Sequence, residues 1–169
     1  MLNLKIKLKK IQVVFLLALL IFNVSFEAAA QSLNSRGTPR EAISMAKQVI
    51  KKFKNDGIDK TLHTINHTQI FRDRDLYAFI MNNEGVIVAH GVLQALVGKN
   101  IIRLTDGDGK LMIQEFVDLM KVKRTGWVNY KWPNFVTGKL DFKSTYLERM
   151  DENLFVGVGI YQTKTARTR

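Results

Sequence analysis

His90, Trp127, Tyr130, Trp132, Lys143 and Tyr146 are the side chains whose types and spacing best suit recognition chemistry in this sequence. Both tryptophans of the chain fall with a tyrosine in the run GWVNYKW at 126–132, beside Lys131. Read as an extended strand, the run alternates, with Val128, Tyr130 and Trp132 on one face and Trp127, Asn129 and Lys131 on the other. Aromatics on both faces suit a strand that borders a core on one side and a pocket on the other, although packing alone also accounts for such a cluster. Lys143 sits inside the strand pattern FKSTY, on the opposite face from Phe142, either facing solvent or held as a cation in a site. One or two cations or hydrogen-bond donors fixed by rigid aromatics in a concave site would take a small anion.

Other chemistries fit less well. His63 and His67 stand four apart on a possible helix, a spacing that can present two zinc ligands. No glutamate adjoins His63, the remaining histidine is His90 in a distant strand, and the chain has no cysteine, so surface histidines are the simpler reading and no metal is expected. Asp106, Asp108, Gly109 and Glu115 resemble part of a calcium loop, but Leu104 occupies its first ligand position, and a turn capping the following helix explains the aspartates. The sequence carries neither a GxSxG element nor a glycine-rich phosphate loop, and no nucleophile, base and orienting group stand out. No catalysis and no cofactor are expected.

The elements that must position these side chains can be read in order. Thr38-Pro39-Arg40-Glu41 forms a helix start with Thr38 as N-cap, Pro39 at the first helical position and Glu41 completing a capping box. Apolar residues at Ala42, Ile43, Ala46, Val49, Ile50 and Phe53 predict a helix to about Asn55, stopped by Gly57, and a shorter helix follows over 59–66. The stretches LYAFIMN and VIVAH, joined by Asn83-Glu84-Gly85, predict a hairpin. Residues 105–109 read as a turn that starts a helix over 110–123, with Ile113, Phe116, Val117 and Met120 on its buried side. Strands are predicted over 126–132, 140–150 and 154–161, with Pro133-Asn134 and Asp151-Glu152-Asn153 as the turns between them. Such an order predicts an α+β domain, one antiparallel sheet with helices over it.

Composition bounds the rest. Lys5, Lys7, Lys9 and Lys10, the apolar run 11–26 and the small residues before Gln31 predict a signal peptide over 1–30, cut after Ala30, and hence a periplasmic or secreted protein. The run is short for a membrane span, and without cysteine neither lipid attachment nor thiol redox chemistry is available. Loss of the leader's four lysines and one glutamate from the 26 basic and 15 acidic residues leaves a net charge of +8. That balance favours anionic partners; export argues against nucleic acid among them. The expected organisation is a flexible start over 31–37, a single domain over 38–161 and a basic tail over 162–169.

The run NNEGVIVAHGVLQALVGKNIIRLTDGDGK, then GWVNYKWPNFVTGKLDFKSTYLERM, then FVGVGIY, resembles the single Cache domain of type 2, an extracytoplasmic sensor module with a PAS-like fold. The resemblance covers about 76–161, and the helix from Thr38 fits the one that leads into such domains. It implies an antiparallel sheet with a long N-terminal helix packed along it and a pocket for small ligands, often short organic anions. Carried over by position, its AHG element is Ala89-His90-Gly91, its GWV-Y-W element is Gly126, Trp127, Val128, Tyr130 and Trp132, and its K-x-x-Y element is Lys143 with Tyr146. One departure is Phe135, where the family commonly has proline. Family members usually precede a membrane helix and an output module; here only 162–169 follow Tyr161, which implies a stand-alone exported version without an output domain. The expected function is binding of a short carboxylate, with a membrane sensor protein as a further partner; the alternative is a protein-interaction module docking on an anionic receptor.

Overall fold

The computed structural model describes residues 36–162. The leader over 1–30, its cleavage site and most of the expected basic tail lie outside the described residues. So do residues 31–35 of the expected flexible start, whereas Arg36 and Gly37 are held: the Gly37 amide donates to Asp75 Oδ1 at 2.6 Å.

The chain runs α1 (Pro39–Asp56), α2 (Ile58–His67), β1 (Arg72–Asp73), β2 (Leu76–Asn82), β3 (Ile87–His90), a 3-10 turn (Gln94–Leu96), α3 (Met112–Val122), β4 (Thr125–Asn134), β5 (Lys139–Arg149) and β6 (Leu154–Tyr161). The order is that of an α+β fold. The capping box that opens α1 is present in both halves: Thr38 Oγ1 accepts from the Glu41 amide, and Glu41 accepts from the Thr38 amide. These bonds satisfy donors that a helix start leaves unpaired, and the Glu41 charge sits where the helix dipole favours it.

The strands form one antiparallel sheet in the order β1-β2-β6-β5-β4, with β3 paired to β2 on the same edge as β1. Asn82 Oδ1 accepts from the Val86 amide at 2.8 Å in the β2–β3 turn, and Asp151 Oδ1 accepts from the Leu154 amide at 2.7 Å in the β5–β6 turn. The β4–β5 turn lies further on than expected. Pro133 and Asn134 belong to β4, paired with Leu140 and Lys139. The sheet order makes β4 an edge strand, where a proline's missing N–H costs no ladder bond.

Period two then sorts every side chain onto one of two faces. On one, Ala78, Ile80, Val156, Val158 and Ile160 meet Ala42, Ala46 and Val49 of α1 and Ile65 of α2. Two alanines on the inner stripe of α1 let that helix lie close to the sheet. On the other face, Phe79, Met81, Leu147 and Phe155 meet Met112, Phe116, Val117 and Met120 of α3.

The loop before α3 is fixed by one carboxylate. Asp106 Oδ1 accepts from the amides of Asp108 and Lys110, and its Oδ2 accepts from the Lys131 amide at 3.0 Å, latching the loop to β4. Those bonds, that from Lys131 first, with the Lys110 charge nearby, hold the Asp106 carboxyl below the usual range. The turn does not cap the helix as expected; Leu111 stands at the N-cap of α3 and makes no side-chain cap bond.

Candidate functional site

Beneath α3 and the loop that follows β3, the sheet leaves a cavity of about 20 Å³, measured as space open to the centre of a water molecule. That is room for one or two waters. Its wall includes Tyr77 and Phe79 of β2, His90 of β3, Tyr130 and Trp132 of β4, and Met112 and Phe116 of α3. Strand register explains the gathering. His90 pairs with Phe79, Tyr130 with Lys143, and Lys143 with Tyr161, so these side chains rise from one face of neighbouring strands.

Lys143 is 1% exposed. Its Nζ donates to the Tyr77 hydroxyl at 2.5 Å, stands 3.8 Å from the Tyr77 ring centre and 4.8 Å from that of Tyr161. No carboxylate forms a salt bridge with it among the described residues. Burial therefore pushes its amine well below the ordinary lysine range, opposed only by the field of Asp75. Space for the long side chain comes from β6: a Cβ on Gly159 would lie 1.9 Å from Lys143 Cε, and one on Gly157 would lie 2.1 Å from the Phe79 ring. Glycines two apart on one strand face thus make the trough in which Lys143 and Phe79 lie.

His90 is buried, with its ring 5.0 Å from Tyr77 and stacked at 6.0 Å on Phe79. Its Nδ1 accepts from the amides of Leu93 at 2.9 Å and Val92 at 3.2 Å, which places the ring proton on Nε2. Burial first, and the Lys143 cation second, bring its pKa down to about 3. Because burial is the larger cause, His90 stays neutral at pH 7 whichever form Lys143 takes. Tyr130 shares a hydrogen bond of 2.8 Å with Thr145 and meets Phe116 edge-on. The Tyr161 hydroxyl donates to the Pro133 carbonyl at 2.7 Å, and burial raises the phenols of Tyr77, Tyr130 and Tyr161. The Tyr77 hydroxyl also interacts with the Trp132 indole and the Tyr161 hydroxyl. Chemically, this is a small aromatic box with neutral donors at His90, Tyr77 and Trp132 and a buried amine behind Tyr77.

Four of the six residues singled out from the sequence come together here: His90, Tyr130 and Trp132 in the wall, and Lys143 one hydroxyl away from it. Trp127 and Tyr146 do not. Their rings meet at 5.3 Å on the opposite face, among the residues under α1, and the Tyr146 hydroxyl donates to Glu148. The physical reason is parity: Trp127 is an odd number of positions from Tyr130, and Tyr146 an odd number from Lys143, so a flat strand sends them to opposite sides. Tyr77, Phe79, Tyr161 and the two β6 glycines were not among the sequence candidates. The alternation in LYAFIMN and the GVG spacing are the signals that point to them. Phe135, in the β4–β5 turn, meets the Tyr77 ring edge-on at 6.1 Å and is 41% exposed, so this departure from the resembled pattern sits beside the site.

A family model described as Cache domain matches residues 23–168. Among solved structures, a methyl-accepting chemotaxis protein from Vibrio parahaemolyticus is similar at 19% identity and a TM-score of 0.62, over 84% of this chain and 95% of that one. A periplasmic sensor domain of a chemotaxis protein matches at 20% identity and a TM-score of 0.58, over 83% of this chain and 97% of the other. A Cache chemosensory domain described for its carboxylic acid recognition matches at 20% identity and a TM-score of 0.59, over 85% and 97% of the two chains. At these identities the structural likeness establishes the fold.

Proposed function

The chain belongs to the Cache domain family, and from that premise we propose that it is an extracytoplasmic sensor domain whose pocket takes a short carboxylic acid, without catalysis. The observation that carries this reading is Lys143: a fully buried amine, hydrogen-bonded to a tyrosine, with no salt-bridge partner among the described residues. An unpaired buried cation costs several kcal/mol, on the order of the penalty for burying any lone ion, so its natural complement is an anion brought from outside. A carboxylate in the cavity, with the Tyr77 hydroxyl between it and Lys143, would supply the charge, and His90 Nε2–H, the Tyr77 hydroxyl and the Trp132 indole would donate to its oxygens. The apolar remainder of the acid would lie against Phe79, Met112 and Phe116, which line the cavity.

Free space of about 20 Å³ favours acids of few heavy atoms, and even these require the wall to give. Because burial disfavours the lysine ammonium, binding a carboxylate draws a proton onto Lys143, and an undissociated acid can deliver that proton itself. A carboxylic-acid-recognising relative with the same fold supports this class of ligand.

The test is thermal shift of the protein against a panel of short carboxylic acids, with the K143M variant in parallel. A ligand that binds only the folded state stabilises it by mass action, by about 2.7 kcal/mol at a hundred times Kd, and so raises the melting temperature. The expected outcome is a saturable rise for one or more short acids in the wild type and none in K143M. An equal rise in both proteins would remove Lys143 from the site, and no rise with any acid would end the carboxylate reading.

A further inference from the structure

Phe135 reaches the pocket from a position that strand parity would turn away from it. It stands three residues beyond Trp132, so alternation alone would send it, with Pro133, to the opposite face. Yet its ring meets Tyr77 of β2 edge-on, and β2 and β4 are three strand spacings apart in the sheet, about 14 Å if the sheet were flat. The β4–β5 turn therefore curls back over the pocket face. A second contact shows the same bend: the Tyr161 hydroxyl, from β6, donates to the Pro133 carbonyl at 2.7 Å across two strand spacings. Buried Asn134 shapes the turn, its Oδ1 accepting from the Val136 amide at 3.0 Å and its carbonyl accepting from the Gly138 amide at 2.8 Å.

What the turn covers is the polar end of the pocket. Tyr77 and Lys143 are buried, with the amine bonded to the Tyr77 hydroxyl, whereas Phe135 is 41% exposed, one side on Tyr77 and the other in water. Elsewhere the amine is closed in by Tyr161, itself buried, and by the backbone of β6 at Gly159. The other thin part of the wall is at Leu96 and Ile101, half-buried in the loop after β3. That loop bonds to Ile87, which pairs with Met81, four positions along β2 from Tyr77 and so about 13 Å away at the apolar end.

We propose that the β4–β5 turn is the way into the pocket, with Phe135 as a leaf that swings off Tyr77 to admit the acid and closes behind it. This rests on the reading that the pocket takes a short acid. Moving a ring that is already partly in water uncovers little apolar surface, whereas lifting α3 would uncover Met112, Phe116, Val117 and Met120, all buried. The leaf also opens at the end where the donors stand, so the carboxylate meets them without crossing the apolar part. Closure then excludes water from that end and strengthens each bond made to the carboxylate.

Labelling of Lys143 tests the leaf without any ligand. Cyanate is small and carbamylates neutral amines with no leaving group, and mass spectrometry reads the site of reaction in the full chain. Lys143 should react roughly tenfold or more faster in F135A than in the wild type, as where labelling follows a local opening. It should keep the wild-type rate in W127F, which loosens packing on the opposite face, and in L96A, which thins the rival route. No change in F135A, an equal rise in W127F, or a rise in L96A alone overturns the proposal. Stopped-flow fluorescence with acetate, reported by Trp132 in the wall, then tests passage. Acetate should leave F135A roughly tenfold or more faster than the wild type, and enter at least as fast; slower entry overturns the proposal. If acetate binds and F135A changes neither its rates nor the labelling, the leaf is wrong while the pocket stands. If F135A opens Lys143 to cyanate and no acid binds, the leaf stands and the pocket reading falls. Should F135A fail to fold, F135L, which keeps an apolar side chain and loses the ring, decides on the same two readouts.

Discussion

The α1-covered face of the sheet and the pocket face are made by the same strands, one residue out of step, and they differ in what they bury. Under α1 lie Ala78, Ile80, Val156, Val158 and Ile160, each met by aliphatic side chains of the helices. Under α3 the same strands bury Tyr77, Lys143, Thr145 and Tyr161, with His90 and Tyr130 beside them. The first face gains stability from nearly every atom, about 25 cal/mol per Å² of apolar surface removed from water. The second gives some of that up, keeping polar groups dry and an amine without an ion-pair partner. Such a trade between stability and a prepared site is common where a protein must bind. What the difference teaches is that polarity alternating into a buried face, and not exposure, marks the side of this sheet proposed to bind.

Placing a lysine on the wrong face is the harshest way to break the comparison. Val158→Lys sets a cation at a fully buried position with no tyrosine and no glycine trough, and should cost about 4 kcal/mol or more, a large share of an ordinary domain's stability. A cooperative melt near that of the wild type would mean that the α1 face tolerates charge as the pocket face does.

Acid should attack the pocket face first. His90 has a folded pKa of about 3 against 6.5 when free, so between those values the unfolded chain binds the extra proton. Stability present above pH 6.5 is therefore lost as pH falls toward 3. Lys143 works in the same sense at higher pH, because its folded value also lies below its free value of 10.5. Urea unfolding across pH should show a loss between pH 6.5 and 3 that is shallower in H90N; equal slopes would take His90 out of the account.

Removing the buried amine should help the empty protein. K143M, expected to end acid binding, should raise the stability of the unliganded chain by on the order of 1 kcal/mol, since a similarly long apolar side chain avoids the desolvation. A lower melting temperature for K143M would show that the Tyr77 bond outweighs burial. The mildest change sharpens the assignment of Trp127. Trp127→Phe should cost roughly 1 kcal/mol in packing under α1 and leave the acid affinity within about twofold, as expected of a site outside the contact range. A tenfold loss of affinity would return Trp127 to the site.

Local patterns were legible in the chain because they depend on neighbours in sequence. The capping box at Thr38 and Glu41, the stripe of α1, the β2–β3 hairpin and the span of β6 need only periodicities of 3.6 and 2 and the chemistry of turns. Alternation by itself also put Trp127 opposite Tyr130; grouping both in one site followed residue type and closeness in sequence, which are blind to which way a side chain points. Pro133 was misplaced for a related reason, since only the sheet order reveals that β4 is an edge where proline is tolerated.

Sequence therefore determined the elements, the parity of each side chain along its strand, and the presence of one lysine amid aromatics. Tertiary structure alone decided which residues share the pocket: register set Lys143 beside Tyr161 and across from Tyr77, sixty-six positions away, and brought Gly37 to Asp75. Strand order and register arise from how two layers of helices bury both faces of one sheet, a global packing outcome that no local window of residues contains.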